Sequence, residues 1–294
     1  MTPPPRDNQR AILIMLAAVG FFTLMDGGLK LLTAHYPPFE VAALRGASSL
    51  PFVLTWAFAT TGWRRLLRVR WSLHLLRGAI GVAMMAAFVY ALQRMPLSSA
   101  YTIFFVAPLL ITVLSVPLLG ERVGPRRWAA IGIGFAGVLV ALHPNGQGMA
   151  GLAGIAVLFA ALGYAVSAIT VRVLARTDPT QAMVTWVLVL LAAGSGACAA
   201  PHWVAILRSD APLILGVGVA GALGQYAITE AFIRGEASVL APLEYTALAW
   251  SLVLDFTLWS VLPDAPTWIG AAIIVASGLY LLRRERVHVE AEHP

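Results

Sequence analysis

The residues able to do chemistry in this chain are charged side chains stranded in long apolar runs. Asp26 and Lys30 are four apart in one run, a spacing that lets them meet on one helix face. Arg45 stands in the next run, beyond Glu40, and Arg77 with His74 in the one after. Glu230, Glu244 and Asp255 occupy the last third. A charge in hydrocarbon is costly, which makes each of these a candidate for function. Asp26 and Lys30 read as a charge pair greeting a zwitterion, or as a self-neutralised pair with Lys30 snorkelling to the interface. Arg45 offers a planar fork that suits a substrate carboxylate, although such an Arg also pins helices together. Glu244 and Asp255 are candidate carriers of a coupling proton, against the plainer reading of hydrogen-bonded structural acids. Arg77 and His74 read as anchors, and Glu230 lies close to a membrane surface.

Aromatic and amide side chains add a second set. Tyr164, Gln225, Tyr226, Tyr245 and Trp250 fall inside apolar runs. Their rings can stack on a flat substrate while a hydroxyl or amide orients its polar end. Tyr90 and Tyr101 sit nearer run ends, where tyrosines usually form an interface belt. Gly216-Val217-Gly218-Val219-Ala220-Gly221 spells a dinucleotide fingerprint, but no strand precedes it. Gly216, Gly218, Gly221 and Gly224 instead read as small residues that let helices approach and slide. Pro108 and Pro117 are candidate kinks for gating, and Pro242 weakens the helix just before Glu244.

The elements that must position these residues follow from composition. Of 294 residues, 59% are hydrophobic and 12% charged, where a soluble chain carries roughly 25% charge. That excludes an ordinary cytosolic enzyme, a disordered chain and a nucleic-acid binder. The single cysteine, Cys198, excludes a disulfide framework and a cysteine-ligated metal site. Apolar runs long enough to span a bilayer lie at 11–32, 39–60, 71–95, 97–119, 127–142, 149–173, 180–200, 211–233, 237–262 and 265–282. Residues 1–10 form a polar tail, and the run after them is too long for a signal-peptide core. No period-two alternation argues for a barrel, so the expectation is an all-α membrane protein of ten transmembrane helices. Of the twenty Lys and Arg, fifteen fall on one face if the spans alternate. They are Arg6, Arg10, the group from Arg64 to Arg70, Arg122, Arg126, Arg127, Arg172, Arg176, Arg234, Arg283, Arg284 and Arg286. The other face holds only Arg94 and Arg208. This places both termini, including the tail 283–294, in the cytoplasm. The clusters account for the net charge of +6 and would meet anionic lipid headgroups.

A shift of 140 residues brings Ala91-Leu92-Gln93-Arg94 onto Ala231-Phe232-Ile233-Arg234, Ser98 onto Ser238, Trp128 onto Trp268 and Gly137 onto Ser277. Span boundaries coincide under the same shift. Five spans per copy, 11–142 and 149–282, thread the second copy upside down. Two inverted five-helix repeats around a central cavity are a transporter design.

Pro117-Leu118-Leu119-Gly120-Glu121-Arg122, followed by Trp128 and the glycine-spaced Ile131-Gly132-Ile133-Gly134-Phe135-Ala136-Gly137, resembles the EamA-type repeat of the drug/metabolite transporter superfamily. The second half echoes it in Leu240-Ala241-Pro242-Leu243-Glu244-Tyr245 and Trp268-Ile269-Gly270-Ala271-Ala272, and departs from it at Val261, which stands in the place of Glu121. The resemblance implies ten helices, a central cavity and traffic of small metabolites. Within the superfamily the chain is most similar to bacterial YddG-type exporters of aromatic amino acids. The expected function is secondary transport, exporting amino acids or similar metabolites across the bacterial cytoplasmic membrane by alternating access. No Walker A sequence is present, so ATP is not the direct energy source. No cofactor, metal, nucleic acid or obligate protein partner is expected; the partners are a small-molecule substrate and membrane lipids. The alternatives are a transporter of another metabolite class in the same superfamily and, behind it, an integral-membrane enzyme acting on lipids. The enzyme would need clustered acids or a His–acid pair within a span, and the six histidines lie mostly in loops and tails.

Overall fold

The computed structural model describes residues 8–120, 123–142, 148–234 and 240–292. All regular structure among them is helical. The helices are α1 (Asn8–Leu32), α2 (Pro38–Thr60), α3 (Trp63–Leu67), α4 (Trp71–Leu92), α5 (Leu97–Phe104), α6 (Ala107–Leu119), α7 (Pro125–Leu142), α8 (Gly148–Leu174), α9 (Thr180–Ala199), α10 (Ala211–Arg234), α11 (Ala247–Trp259) and α12 (Ala265–Glu292). By length and composition eight stretches can cross a membrane, with Ala265–Leu281 a shorter apolar helix beside them. Helices are what lipid permits, because they bond every backbone amide internally.

Two of the expected spans are interrupted, each for a reason visible in the sequence. The fourth divides into α5 and α6 around Phe105 and Val106. Pro108, at the start of α6, has no amide to donate, and its ring crowds the carbonyl of Phe104. Pro117 sits in the last turn of α6 without breaking it. The ninth opens as a 3-10 turn, Ala241–Thr246, containing Pro242, before α11 begins. The Glu121-Arg122 end of the motif, the His143–Gly146 joint and Ser238 lie outside the described residues.

Helix boundaries repeat at the 140-residue offset. α1 and α8 begin at Asn8 and Gly148, α4 and α10 at Trp71 and Ala211, and α7 and α12 at Pro125 and Ala265. α6 and α11 match at both ends, Ala107–Leu119 and Ala247–Trp259. Each ends on a left-handed residue, Gly120 at φ 71° and Ser260 at φ 54°. That conformation closes a helix by returning amides to its last carbonyls. The amides of Gly120 and Ser260 reach Val116 and Phe256, each at 3.1 Å. Only Ser260 carries a side chain at such a φ among the described residues.

Packing follows the same exchange. α1 lies along α10 as α8 lies along α4, and α2 meets α10 as α9 meets α4, while α2 pairs with α9 and α7 with α12. Glycine permits the closest of these seams. On α12, a methyl added at Gly270 would fall 2.7 Å from the Gly137 carbonyl of α7, a distance no real side chain tolerates. On α10, Gly218 lies against the Ser48 backbone, Gly221 against Met25 and Ser49, and Gly224 against Phe22. These three work as small-residue packing positions. Gly216 does not, since nothing stands within 4 Å of where its side chain would be.

Candidate functional site

The interior of the bundle is lined by an aromatic chain that draws on both halves. Tyr164 of α8 packs on Phe104 at 5.5 Å between centroids, Phe104 on Phe88 at 5.6 Å and Phe88 on Tyr101 at 6.5 Å. Tyr101 continues to Phe105 at 6.0 Å, and Phe105 to Tyr245 at 5.0 Å. The break between α5 and α6 turns Phe104 and Phe105 to different neighbours, so one segment serves both ends of the chain.

Around it stand the in-membrane charges. The Tyr101 hydroxyl donates to Asp26 Oδ2 at 2.6 Å, with both residues buried. Arg45 is half-buried. Its Nε faces Met25 Sδ at 3.4 Å and its Nη1 faces Met85 Sδ at 3.9 Å. Thioether sulfurs are weak acceptors, so the guanidinium is poorly satisfied. Asp26 feels its charge without an ion-pair contact. Glu244 is half-buried at the 3-10 turn, where its charge reaches Tyr164 and Tyr245, and no described residue bonds its carboxylate. The Tyr245 hydroxyl is buried without a partner among the described residues and lodges against Gly278 of α12.

Helix faces separate interior from exterior exposure. On α8, Leu152, Ile155, Phe159 and Leu162 form one exposed stripe, the lipid face. Tyr164 lies about 200° round from Leu162, on the opposite face, and is still 40% exposed. It therefore borders open space inside the bundle. Along its own stripe Val157 and Ala161 are buried and Ala168 is half-buried.

Asp255 ties α11 to the start of α5. It is fully buried and accepts the Leu97 amide at 3.0 Å, the Ser98 amide at 2.7 Å and the Ser98 hydroxyl at 2.6 Å. A carboxylate on α11 thus caps the N-terminus of α5, where unpaired amides favour negative charge. Lys30 approaches Asp255 at 3.6 Å, donates to the Met95 carbonyl at 2.8 Å and lies 4.6 Å over the Trp259 ring. The expected Asp26–Lys30 pair is thereby divided: Asp26 takes Tyr101 and Lys30 takes Asp255.

The remaining predicted residues are dispersed. Gln225 is half-buried on the stripe of Gly218 and Gly221, toward α1 and α2. Tyr226, 57% exposed, shares the outward stripe of Leu215 and Leu223. Trp250 is exposed beside Val253, its ring resting on α1 at Gly20. Glu230 pairs with Arg234. Arg77 donates to Ser167 Oγ at 3.1 Å and to the Met183 carbonyl at 2.8 Å, an anchor as expected. Sequence reasoning placed Tyr101 in the interface belt; the structure puts it in the core, because Asp26 gives its hydroxyl a partner there. The adjacent Phe104-Phe105 pair was the available signal. Among the described residues no group of acids, His and Cys is arranged to hold a metal.

Comparison with known proteins agrees with this architecture. Residues 9–142 match the EamA-like transporter family. The chain is 29% identical to a riboflavin transporter of Vibrio cholerae over 93% of each chain. It is 27% identical to an S-adenosylmethionine uptake transporter of Rickettsia felis, covering 96% of this chain and 98% of that one. It is 24% identical to a pseudopaline exporter of Pseudomonas aeruginosa, covering 94% and 96%. These relatives are named as transporters, and the names do not single out the expected aromatic amino-acid exporters. A solved crystal structure shares the fold, with TM-score 0.66 at 23% identity over 94% of this chain and 98% of its own. With its helical spans and its aromatic-lined interior, the chain has the architecture of a multi-pass membrane protein, and its first half is similar to the EamA-like transporter family.

Proposed function

We propose that the protein is a secondary transporter for small zwitterionic metabolites, aromatic amino acids and their derivatives among them, and that it exports them across the bacterial cytoplasmic membrane by alternating access. One observation carries the reading. Arg45 and Glu244 are opposite charges in the membrane interior, each half-buried, and among the described residues neither makes an ion pair. Unpaired charges there are costly, and a zwitterion supplies the partners for both. Its carboxylate goes to the Arg45 fork and its ammonium to Glu244, with the side chain against Tyr164, Phe104 and Tyr245. Glu244 is also the proposed site for a coupling proton when the substrate is absent. Asp255, with its oxygens already occupied, serves to join α11 to α5 instead.

The 140-residue offset in helix boundaries and the exchange of packing partners support two inverted repeats, 11–142 and 149–282, that rock against each other. In this reading both termini lie on the arginine-rich, cytoplasmic face. The protein is then a carrier and not an enzyme.

Counterflow in proteoliposomes tests this. Labelled Phe, Trp or Thr should enter vesicles preloaded with the same amino acid faster than vesicles without protein. Arg45→Gln should lower the rate by about a hundredfold, as for a lost charge-assisted contact, while helicity and melting stay unchanged. No counterflow with any of the three ends the amino-acid assignment. The aromatic chain favours a second reading, a flat-ringed substrate such as the riboflavin or S-adenosylmethionine named for relatives. Both compounds belong in the same assay.

A further inference from the structure

On the arginine-rich face, away from the transport interior, a cleft of about 450 Å³ is lined by Arg65, Arg68, Arg176, Thr177, Asp178 and Pro179. Two backbones hold it open. Leu66 of α3 is buried, and its carbonyl receives the Trp186 indole N–H at 2.7 Å. This fixes the short helix from which Arg65 projects, with Arg68 directly after its last residue. Across the cleft, Asp178 ties the loop before α9 to the start of α4. It accepts the Arg70 amide at 3.0 Å, His74 Nε2 at 2.9 Å and the Thr177 hydroxyl at 2.7 Å. Asp178, the one acid lining the cleft, has its oxygens occupied by these donors and makes no ion pair with the arginines. No described carboxylate pairs with Arg65, Arg68 or Arg176, and all three are exposed.

We infer that this cleft binds a phosphoryl group, held by the forks of Arg65 from α3, of Arg68 just past its end and of Arg176 from the facing loop. Guanidinium groups match phosphate oxygens bidentately, and three of them line one cleft with no ion pair to its single acid, which leaves their forks for a ligand. The flanks indicate the source. Trp63 is 58% exposed and Trp71 40%, with Leu67 also exposed beside them, the kind of side chain found at headgroup level. The ligand that fits both features is an anionic phospholipid, its phosphodiester in the cleft and its glycerol backbone against the tryptophans. The site stands apart from Arg45 and Glu244, so it does not depend on the proposed substrate.

Native mass spectrometry of the detergent-purified full chain tests it, with phosphatidylglycerol, phosphatidylcholine of the same acyl chains and inorganic phosphate as probes. The wild type should retain phosphatidylglycerol preferentially, and millimolar inorganic phosphate should leave that complex intact. The triple variant R65Q/R68Q/R176Q should bind phosphatidylglycerol about a hundredfold more weakly, at about fivefold for each basic residue near an anionic surface. Its phosphatidylcholine binding should be unchanged. The triple variant R65K/R68K/R176K keeps every charge, and with it the threading of the chain, but loses the forks; it should bind about fivefold more weakly. R94Q/R208Q, on the other face, should bind as wild type. Equal retention by either triple variant, or an equal loss in R94Q/R208Q, overturns the site. Displacement of the lipid by inorganic phosphate overturns the lipid assignment.

Discussion

Truncating Asp255 tests how α11 is held to α5. The carboxylate is fully buried and meets two amides, one hydroxyl and the Lys30 ammonium. Asp255→Ala leaves the first amides of α5 unbonded in a dry interior and strips Lys30 of its counter-charge. Removing one partner of a buried ion pair costs about 3–5 kcal/mol, within which each unmet donor accounts for about 1–3 kcal/mol. Asp255→Asn keeps an acceptor oxygen but loses the charge, and should cost about 2 kcal/mol. Lys30→Met removes a group that also has the Met95 carbonyl and the Trp259 ring, while Asp255 keeps three donors, so about 1 kcal/mol is expected. The double variant should then cost less than the sum, because Lys30→Met removes the charge that Asp255→Ala would strand. The assay is reversible unfolding in mixed detergent micelles, followed by circular dichroism. A loss under about 1 kcal/mol for Asp255→Ala, or strict additivity in the cycle, would refute the cap and its coupling to Lys30.

Two further outcomes are expected. At Asp178, burial pushes the carboxyl's proton affinity up, but the Thr177 hydroxyl, the Arg70 amide and His74 outweigh it and hold the pKa below its ordinary 3.8. A lowered folded-state pKa adds stability that is present above the unfolded value and lost as pH falls through the folded one. Wild type should therefore exceed Asp178→Asn in melting temperature at neutral pH, with the gap closing below about pH 4; a gap that persists or widens on acidification contradicts this. At the helix ends, Ser260→Gly should raise stability by up to about 1 kcal/mol by relieving its left-handed backbone, and Gly120→Ala should lower it by a similar amount. Thermal unfolding in detergent measures both, and destabilisation by Ser260→Gly would show that the hydroxyl matters more than the φ angle.

How much was legible in the sequence differs between fold and site. The apolar runs, the arginine asymmetry and the 140-residue offset suffice for a helical membrane protein, since lipid leaves the backbone no alternative. Pro108 and Pro242 mark the interruptions because a missing amide acts locally. The partners of the charges are another matter. Asp26 and Lys30 are four apart and belong to one helix face, yet each is bonded across the bundle, to Tyr101 and to Asp255. Likewise Tyr226 and Tyr164 look alike in sequence, and only the lateral packing of α10 and α8 turns one outward and the other inward.

The sequence alone thus determined what needs only periodicity and transfer energy: an all-helical architecture with membrane-length apolar helices, and the residues too costly to bury without purpose. Tertiary structure decided which of those residues remain unsatisfied. Among the described residues Arg45 and Glu244 make no ion pair while Asp255 is fully engaged, and that difference lies in contacts between helices far apart in the chain. Side-chain bonding of this kind is set by the distance and angle between packed helices, quantities that no spacing along one helix encodes.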